Sequence, residues 1–369
     1  MHLIQISIAS RFIRQRQNAC LLKILEKEQD SSDMFMVDGG HSLAHLSLLQ
    51  DDAFQYRTVS VEHLQDMQDY MDALRRKGLF STNSVFRSYV DNKSFKVPQD
   101  FPDAKSIIVV AVYVPLASVN VHYQNQIHKI LIPPNYRVQD FTTEQLRTTI
   151  AKKVVTQNGY RIEGSRNRLF LKHLAVRSGL AEYGRNNICY VKGMGSMLSL
   201  YAFFTDYAFK EDHWREVCMM EFCRSCRICI NECLTHAISD GRFVIDVERC
   251  VSLYNEIVGE IPGWIPVRAH NALIGCLRCQ LRCPANKEVV SRAVELGNLT
   301  ESETSSILEC AGNDDVVIAL CEKLKVSTPE AARNDLPVFS RNLKMLLEAI
   351  QGHAYDKVRN SPAASQSGH

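Results

Sequence analysis

The chain has 369 residues, 46% of them hydrophobic and 23% charged, with 43 Lys and Arg against 41 Asp and Glu. A net charge of +2 supplies no global field committing the molecule to nucleic acid or a membrane surface, and the composition excludes a disordered or fibrous chain. Thirteen cysteines are too dilute for a disulfide scaffold and point instead to metal chemistry in a reducing cytoplasm.

Residues 1–57 are weakly patterned, with a turn at Asp38-Gly39-Gly40. Arg11, Arg14, Arg16 and Lys23 are not followed by a continuous apolar core and a small-residue cleavage site, so the segment reads as an N-terminal extension and not a signal peptide. A helix is expected from Ser60 to Lys77, because Val61, Leu64, Met67, Met71 and Leu74 recur on one face. Ser60 suits its N-cap and Gly78 its stop.

Ile107 to Val114 is an unbroken apolar, β-branched run, the pattern of a strand buried on both faces. It is also the longest such run, far short of the roughly 20 residues a membrane span needs, so no membrane partner is expected. Past it lie His122, Tyr123, His128 and Lys129, then the rigid loop Pro133-Pro134-Asn135-Tyr136. Polar and aromatic side chains beyond a central strand are where an α/β sheet places ligands; a solvated loop would show the same residues. Helices are predicted over Thr142–Gln157 and Ser165–Arg177, and a second buried strand over Ser199–Thr205. Between them Gly184, Gly193 and Gly195 would let backbone approach a flat ligand, without the strand–GxGxxG–helix context of a dinucleotide site.

The cysteines then arrive in two blocks: Cys223-Arg-Ser-Cys226-Arg-Ile-Cys229-Ile-Asn-Glu-Cys233, and Cys276-Leu-Arg-Cys279-Gln-Leu-Arg-Cys283-Pro284, with Cys250 between. Cys-x2-Cys-x2-Cys-x3-Cys is the spacing of a two-cluster ferredoxin, whose fourth cysteine crosses to the other cluster. Three thiolates on one tight loop cap three irons of a cube, and the fourth iron points away from that loop. The spacing therefore predicts one [4Fe–4S] cluster on Cys223, Cys226, Cys229 and Cys283, and a second on Cys233, Cys250, Cys276 and Cys279. Zinc needs neither the third cysteine nor the trailing Cys-Pro. Cys20, Cys189, Cys218, Cys310 and Cys321 read as small buried hydrophobes. Residues 287–352 are helical in pattern, with a capping sequence at Thr300-Glu-Ser-Glu303, and a disordered tail is expected from Tyr355 to His369.

These stretches resemble the epoxyqueuosine reductases, double-cluster proteins distantly related to reductive dehalogenases. The resemblance rests on Gly179-Leu-Ala-Glu-Tyr-Gly184-Arg-Asn-Asn187, on Gly195-Ser196 running to Thr205-Asp206, and on the cysteine blocks with Arg249-Cys250 between them. It implies a mixed α/β domain over 58–215 that takes cobalamin and a ferredoxin-like domain over 216–290; the segment over 291–354, helical in pattern, lacks the helical repeat seen in many members of the family. It further implies electron supply from a reduced ferredoxin or flavodoxin-type donor, and reduction of an epoxide on a tRNA nucleoside. Gly184, Arg185, Asn186, Gly195 and Ser196 are then the cofactor-binding candidates. Where the family has Asp-Tyr-His, this chain has Gln126-Ile127-His128, so the acid is absent. His128, Tyr136, Tyr183 and Asp206 are the candidates for proton donation. The competing expectation is an electron carrier whose α/β domain only docks a partner enzyme.

Overall fold

The computed structural model describes residues 54–165, 168–241 and 243–359, with side chains to residue 351. The first 53 residues, including Cys20 and the Asp38-Gly39-Gly40 turn, and the last ten lie outside the described residues.

Eight consecutive apolar or small residues make β2 (Ser106–Tyr113) the centre of a four-stranded sheet. It pairs antiparallel with β1 (Phe54–Ser60) on one side and with β8 (Leu198–Thr205) on the other, and β5 (Ile162–Gly164) completes the sheet beyond β8. Alternate side chains of β2 enter different cores. Ile107, Val109 and Ala111 pack under α1 (Leu64–Arg76), α2 (Ser84–Val90) and part of α4 (Leu171–Arg177). Ile108, Val110 and Val112 meet Leu146 and Ile150 of α3 (Thr143–Lys153). Covering on both faces is why the strand shows no polar alternation. Thr142 and Gln145 close a reciprocal capping box at the start of α3, satisfying backbone donors that the first turn leaves unpaired.

The short strands β6 (Glu182–Tyr183) and β7 (Cys189–Tyr190) pair antiparallel with each other, and a second, three-stranded sheet, in the order β4–β3–β9, holds β3 (Ala117–Tyr123), β4 (Gln126–Ile132) and β9 (Val294–Leu299). Its apolar face packs on α9 (Glu301–Leu308), α10 (Asp314–Ile318) and the long α11 (Pro329–Arg359). Between β8 and β9 in the chain runs the cysteine segment, with short helices α5 (Ile228–Glu232), α6 (Val251–Asn255), α7 (Arg278–Leu281) and α8 (Lys287–Ser291). Among the described residues no helix is long and apolar enough to cross a membrane.

Several expectations need correction. The described chain enters the first sheet at Phe54, inside the predicted extension, because Phe54 and Val59 supply buried side chains to the cores on both faces. The stretch after β2 is a hairpin, turned by Gln124 and Asn125 at positive φ. The sheet that holds β2 is antiparallel throughout, so the rule that places ligands at the ends of parallel strands does not apply. The helix expected from Ser165 begins at Leu171, because the Ser165 N–H donates to the Ala202 carbonyl and prolongs the β5 edge. β9 interrupts the predicted C-terminal helices, and α11 continues to Arg359, past the expected start of the tail.

Candidate functional site

Burial of the cysteine segment brings its thiols together, and four of them share a cavity. Cys223, Cys250, Cys279 and Cys283 are buried with Ile188, Tyr190, Ala237, Ile238 and Ile245, and Cys229 and Cys233 pack against them. Cys233, Cys250, Cys276 and Cys279 line one small cavity together with Thr235, Ile238 and Val251. The electrostatic neighbours agree with that set of four. Burial, then Cys223, Cys283 and Cys226, pushes Cys229 up to about 11. Burial, with Cys276 and Cys233 adding to it, pushes Cys250 up to about 12. Burial carries Cys279 well above the ordinary thiol range, with Cys276, Cys250 and Cys233 next in effect and Cys229 of the first loop after them. A buried thiol with such neighbours surrenders its proton only to a strong cation.

The thiols are also furnished with donors. Asn271 Nδ2 reaches Cys276 Sγ at 3.2 Å, and the Ala237 N–H reaches Cys233 Sγ at 3.3 Å. The Tyr190 hydroxyl hydrogen-bonds Cys283 and lowers its otherwise raised pKa. Among the described residues, no three His, Cys, Asp or Glu side chains converge tightly enough to hold a single metal ion. A cubane spreads its four thiolates more widely than one ion does, because four irons stand between them. Donor type, burial and N–H···S contacts thus fit an iron–sulfur cluster.

The expected cofactor-binding residues serve this same segment. Gly184 opens a turn in which the Asn187 N–H donates back to the Gly184 carbonyl. A Cβ on Gly184 would stand 2.6 Å from the Tyr190 ring. Arg185 projects from the turn into the first cysteine loop. It donates to the Cys223 carbonyl, to Cys226 O at 3.2 Å and to Asp240 Oδ1 at 2.7 Å. Asn186 Nδ2 donates to the Tyr190 hydroxyl at 2.9 Å and to Cys279 O at 3.3 Å. Gly195, at φ +54, packs where a Cβ would lie 2.3 Å from Asn286 Oδ1. Ser196 exchanges hydrogen bonds with Asn286 and donates to Gln280 Oε1 at 2.9 Å.

A separate cleft lies between α1, α2, the start of α4 and β8, and with its open mouth it encloses about 1230 Å³ free of protein atoms. Aromatic rings dominate its wall, among them Tyr70, Tyr89, Phe170, Tyr183, Tyr201 and Phe243, while Lys93, Arg137 and Lys172 supply positive charge. None of the five expected cofactor-binding residues lines it. Of the four candidate proton donors only Tyr183 does. Asp206 Oδ1 accepts from the Arg161 N–H at 2.8 Å and secures the edge of the first sheet. His128 is buried in β4 of the second sheet. Tyr136 donates to Glu256, and its ring lies against Gly275, next to Cys276.

Two cleft residues escaped sequence reasoning. Lys172 is buried, and its Nζ donates to Asn187 O at 2.6 Å and Asn187 Oδ1 at 3.1 Å. His173 stacks on Tyr70 with ring centroids 4.1 Å apart, and burial followed by Arg177 drives its pKa down to about 3. The signal available was local: adjacent polar residues at the buried start of a helix that goes on with the apolar Leu174, Ala175 and Val176.

Residues 222–286 match the 4Fe-4S double cluster binding domain. That decides the character of the segment. The epoxyqueuosine reductase of Aliivibrio fischeri is 34% identical over 135 residues, covering 36% of this chain and 35% of that protein. The chain spans about a third of the length of the curated relatives it matches. Similarity of fold extends further. The structure of epoxyqueuosine reductase from Streptococcus thermophilus superposes with a TM-score of 0.55 at 15% identity, over 86% of this chain and 85% of that one. An epoxyqueuosine reductase with an epoxyqueuosine-modified tRNA-Tyr stem loop gives 0.52 at 16% identity, over 84% and 80%. The chain is epoxyqueuosine reductase-like in fold and in its double-cluster segment.

Proposed function

We propose that this chain is an iron–sulfur oxidoreductase of the epoxyqueuosine reductase kind, feeding single electrons through two [4Fe–4S] clusters to a group bound in the aromatic cleft. Cys223, Cys226, Cys229 and Cys283 would hold one cluster, and Cys233, Cys250, Cys276 and Cys279 the other. The observation that carries this reading is the cavity shared by Cys233, Cys250, Cys276 and Cys279, four thiols drawn from three separate stretches of chain.

The cleft suits a flat conjugated ligand. Its rings offer apolar faces, and Lys93 and Arg137 offer partners for an anionic or amide-rich tail. A corrinoid fits that description, and when bound it would supply the low-valent metal that passes electrons to substrate. The protein's own part is to keep water from the floor with Phe170 and Phe243, and to deliver a proton. Tyr183 is the donor we assign, since it faces the cleft while His128, Tyr136 and Asp206 do not. An epoxide on a tRNA nucleoside is the substrate this reading implies, and a ferredoxin or flavodoxin-type protein the electron source.

The test is protein prepared without oxygen and assayed for iron, for cobalt retained after adding cobalamin, and for complementation of a strain lacking epoxyqueuosine reductase. Eight irons per chain, perturbed corrinoid bands and restored queuosine support the proposal. Eight irons with the corrinoid washed out would leave only an electron carrier and overturn the enzyme reading.

A further inference from the structure

Arg137 lines the aromatic cleft and is half-buried there. Its Nε is shut off from solvent and meets no acceptor among the described residues, and no carboxylate among them stands within ion-pair distance of the guanidinium. Asp140 lies three residues on, but Lys325 Nζ already pairs with its Oδ1 at 2.6 Å. The described residues that form the cleft wall include two further cations, Lys93 and Lys172, and no Asp or Glu. A guanidinium keeps its charge at any ordinary pH, and taking that charge out of water is costly unless an anion meets it.

The backbone holds this side chain in place. The Arg137 N–H donates to Pro134 O at 3.2 Å, and its carbonyl accepts from Gln139 Nε2 at 2.7 Å. Asn135, Arg137 and Gln139 all line the cleft. Tyr136 between them packs its ring on Gly275 and donates to Glu256. On the other side the Val138 N–H donates to Lys325 O at 2.7 Å. A fork fixed in advance loses little further freedom when it takes up an anion.

We propose that Arg137 is the anion anchor of the cleft and takes a phosphate of the bound ligand through its forked N–H donors. The proposal rests on the reading above, in which the cleft receives a corrinoid or a nucleoside within RNA, and both carry phosphodiesters. The aromatic rings hold the flat part of the ligand by its faces, which leaves its orientation open. A charged, two-pronged contact at one side of the wall sets that orientation.

The experiment compares full-length wild type with Arg137→Gln and Arg137→Lys, all reconstituted without oxygen. Each is titrated with cobalamin, with cobinamide, which has the corrin ring without the phosphodiester tail, and with an RNA stem loop. If the phosphate belongs to the corrinoid, Arg137→Gln should weaken cobalamin by about tenfold or more, the worth of a charged hydrogen bond, and leave cobinamide unmoved. If it belongs to RNA, both corrinoids should hold and the stem loop should weaken by a similar factor. Arg137→Lys, which keeps the charge without the fork, should recover part of the loss in either arm. Iron content equal to wild type checks that the variants fold; should Arg137→Gln lose iron, Arg137→Lys carries the comparison. Unmoved affinities for all three probes, or equal losses of cobalamin and cobinamide, overturn the anchor. Wild type that binds neither corrinoid removes the corrinoid from the reading above and leaves the stem loop to decide Arg137. Wild type that binds none of the three overturns both.

Discussion

Arg185 Nε donates to the carbonyl oxygen of Cys226 at 3.2 Å, so the turn at 184–187 grips the loop that carries Cys223, Cys226 and Cys229. Its side chain is largely buried, and Asp240 holds the guanidinium from the far side at 2.7 Å. A planar fork that spans several acceptors has no substitute in lysine. We expect Arg185→Met to fold and to lose iron from the Cys223 loop first. Iron content after gel filtration without oxygen checks this: a fall towards half the wild-type content supports the clamp, and full iron removes it.

Cys218 lies five residues before the first ligand candidate, yet its nearest polar partner is Glu182, with Sγ 3.9 Å from Oε1. Cys218→Ser should keep full iron, while Cys226→Ser should lose one cluster's worth. Equal losses in the two variants would break the assignment of thiols.

Gly195 stands at φ +54 with Asn286 and Val289 against the place a Cβ would occupy. Gly195→Ala should destabilise the protein by about 1–3 kcal/mol, through backbone strain and a displaced Asn286. Chemical denaturation of the reconstituted protein measures it, and a change under a few tenths of a kcal/mol would contradict the packing described.

Asp335 is buried, accepts from Ser327 Oγ at 2.6 Å, and leaves its Oδ1 unpartnered among the described residues. Burial raises its pKa from 3.8 to about 6. The folded state therefore binds more protons than the unfolded chain between these values. The stability this contributes is full below the unfolded pKa and is lost as pH rises through the folded one. Asp335→Asn should leave stability near pH 4 unchanged and raise it at pH 7 by on the order of 2 kcal/mol. His173 and His270, held neutral by burial, act the other way on acidification but equally in both proteins. Unfolding curves at the two pH values decide it; the same difference at both would dismiss the carboxyl.

The parts of this molecule readable from sequence are those whose physics is local. The unbroken run at Ile107–Val114 declares a strand covered on both faces, and Thr300 announces its capping box. Cysteine spacing carries the double-cluster domain because ligand reach is fixed by loop length. The hairpin at Gln124-Asn125 was missed because its turn carries no glycine. β9 was missed because its partner, β3, lies more than 170 residues earlier. Lys172 escaped for a related reason. Its burial depends on Asn187, a residue across a turn, and no period in the sequence reports such a contact. Arg185 and Ser196 were expected to bind a cofactor in the cleft, and the structure pairs them instead with residues of the cysteine segment.

The exchange of thiolates between the two loops is the central claim, and an iron-edge anomalous map from a crystal grown without oxygen tests it most directly. The account predicts two four-iron peaks, one bonded to Cys283 together with Cys223, Cys226 and Cys229, the other to Cys233 together with Cys250, Cys276 and Cys279. Iron that joins Cys233 to Cys223, Cys226 and Cys229, with Cys283 left beside Cys276 and Cys279, would contradict it.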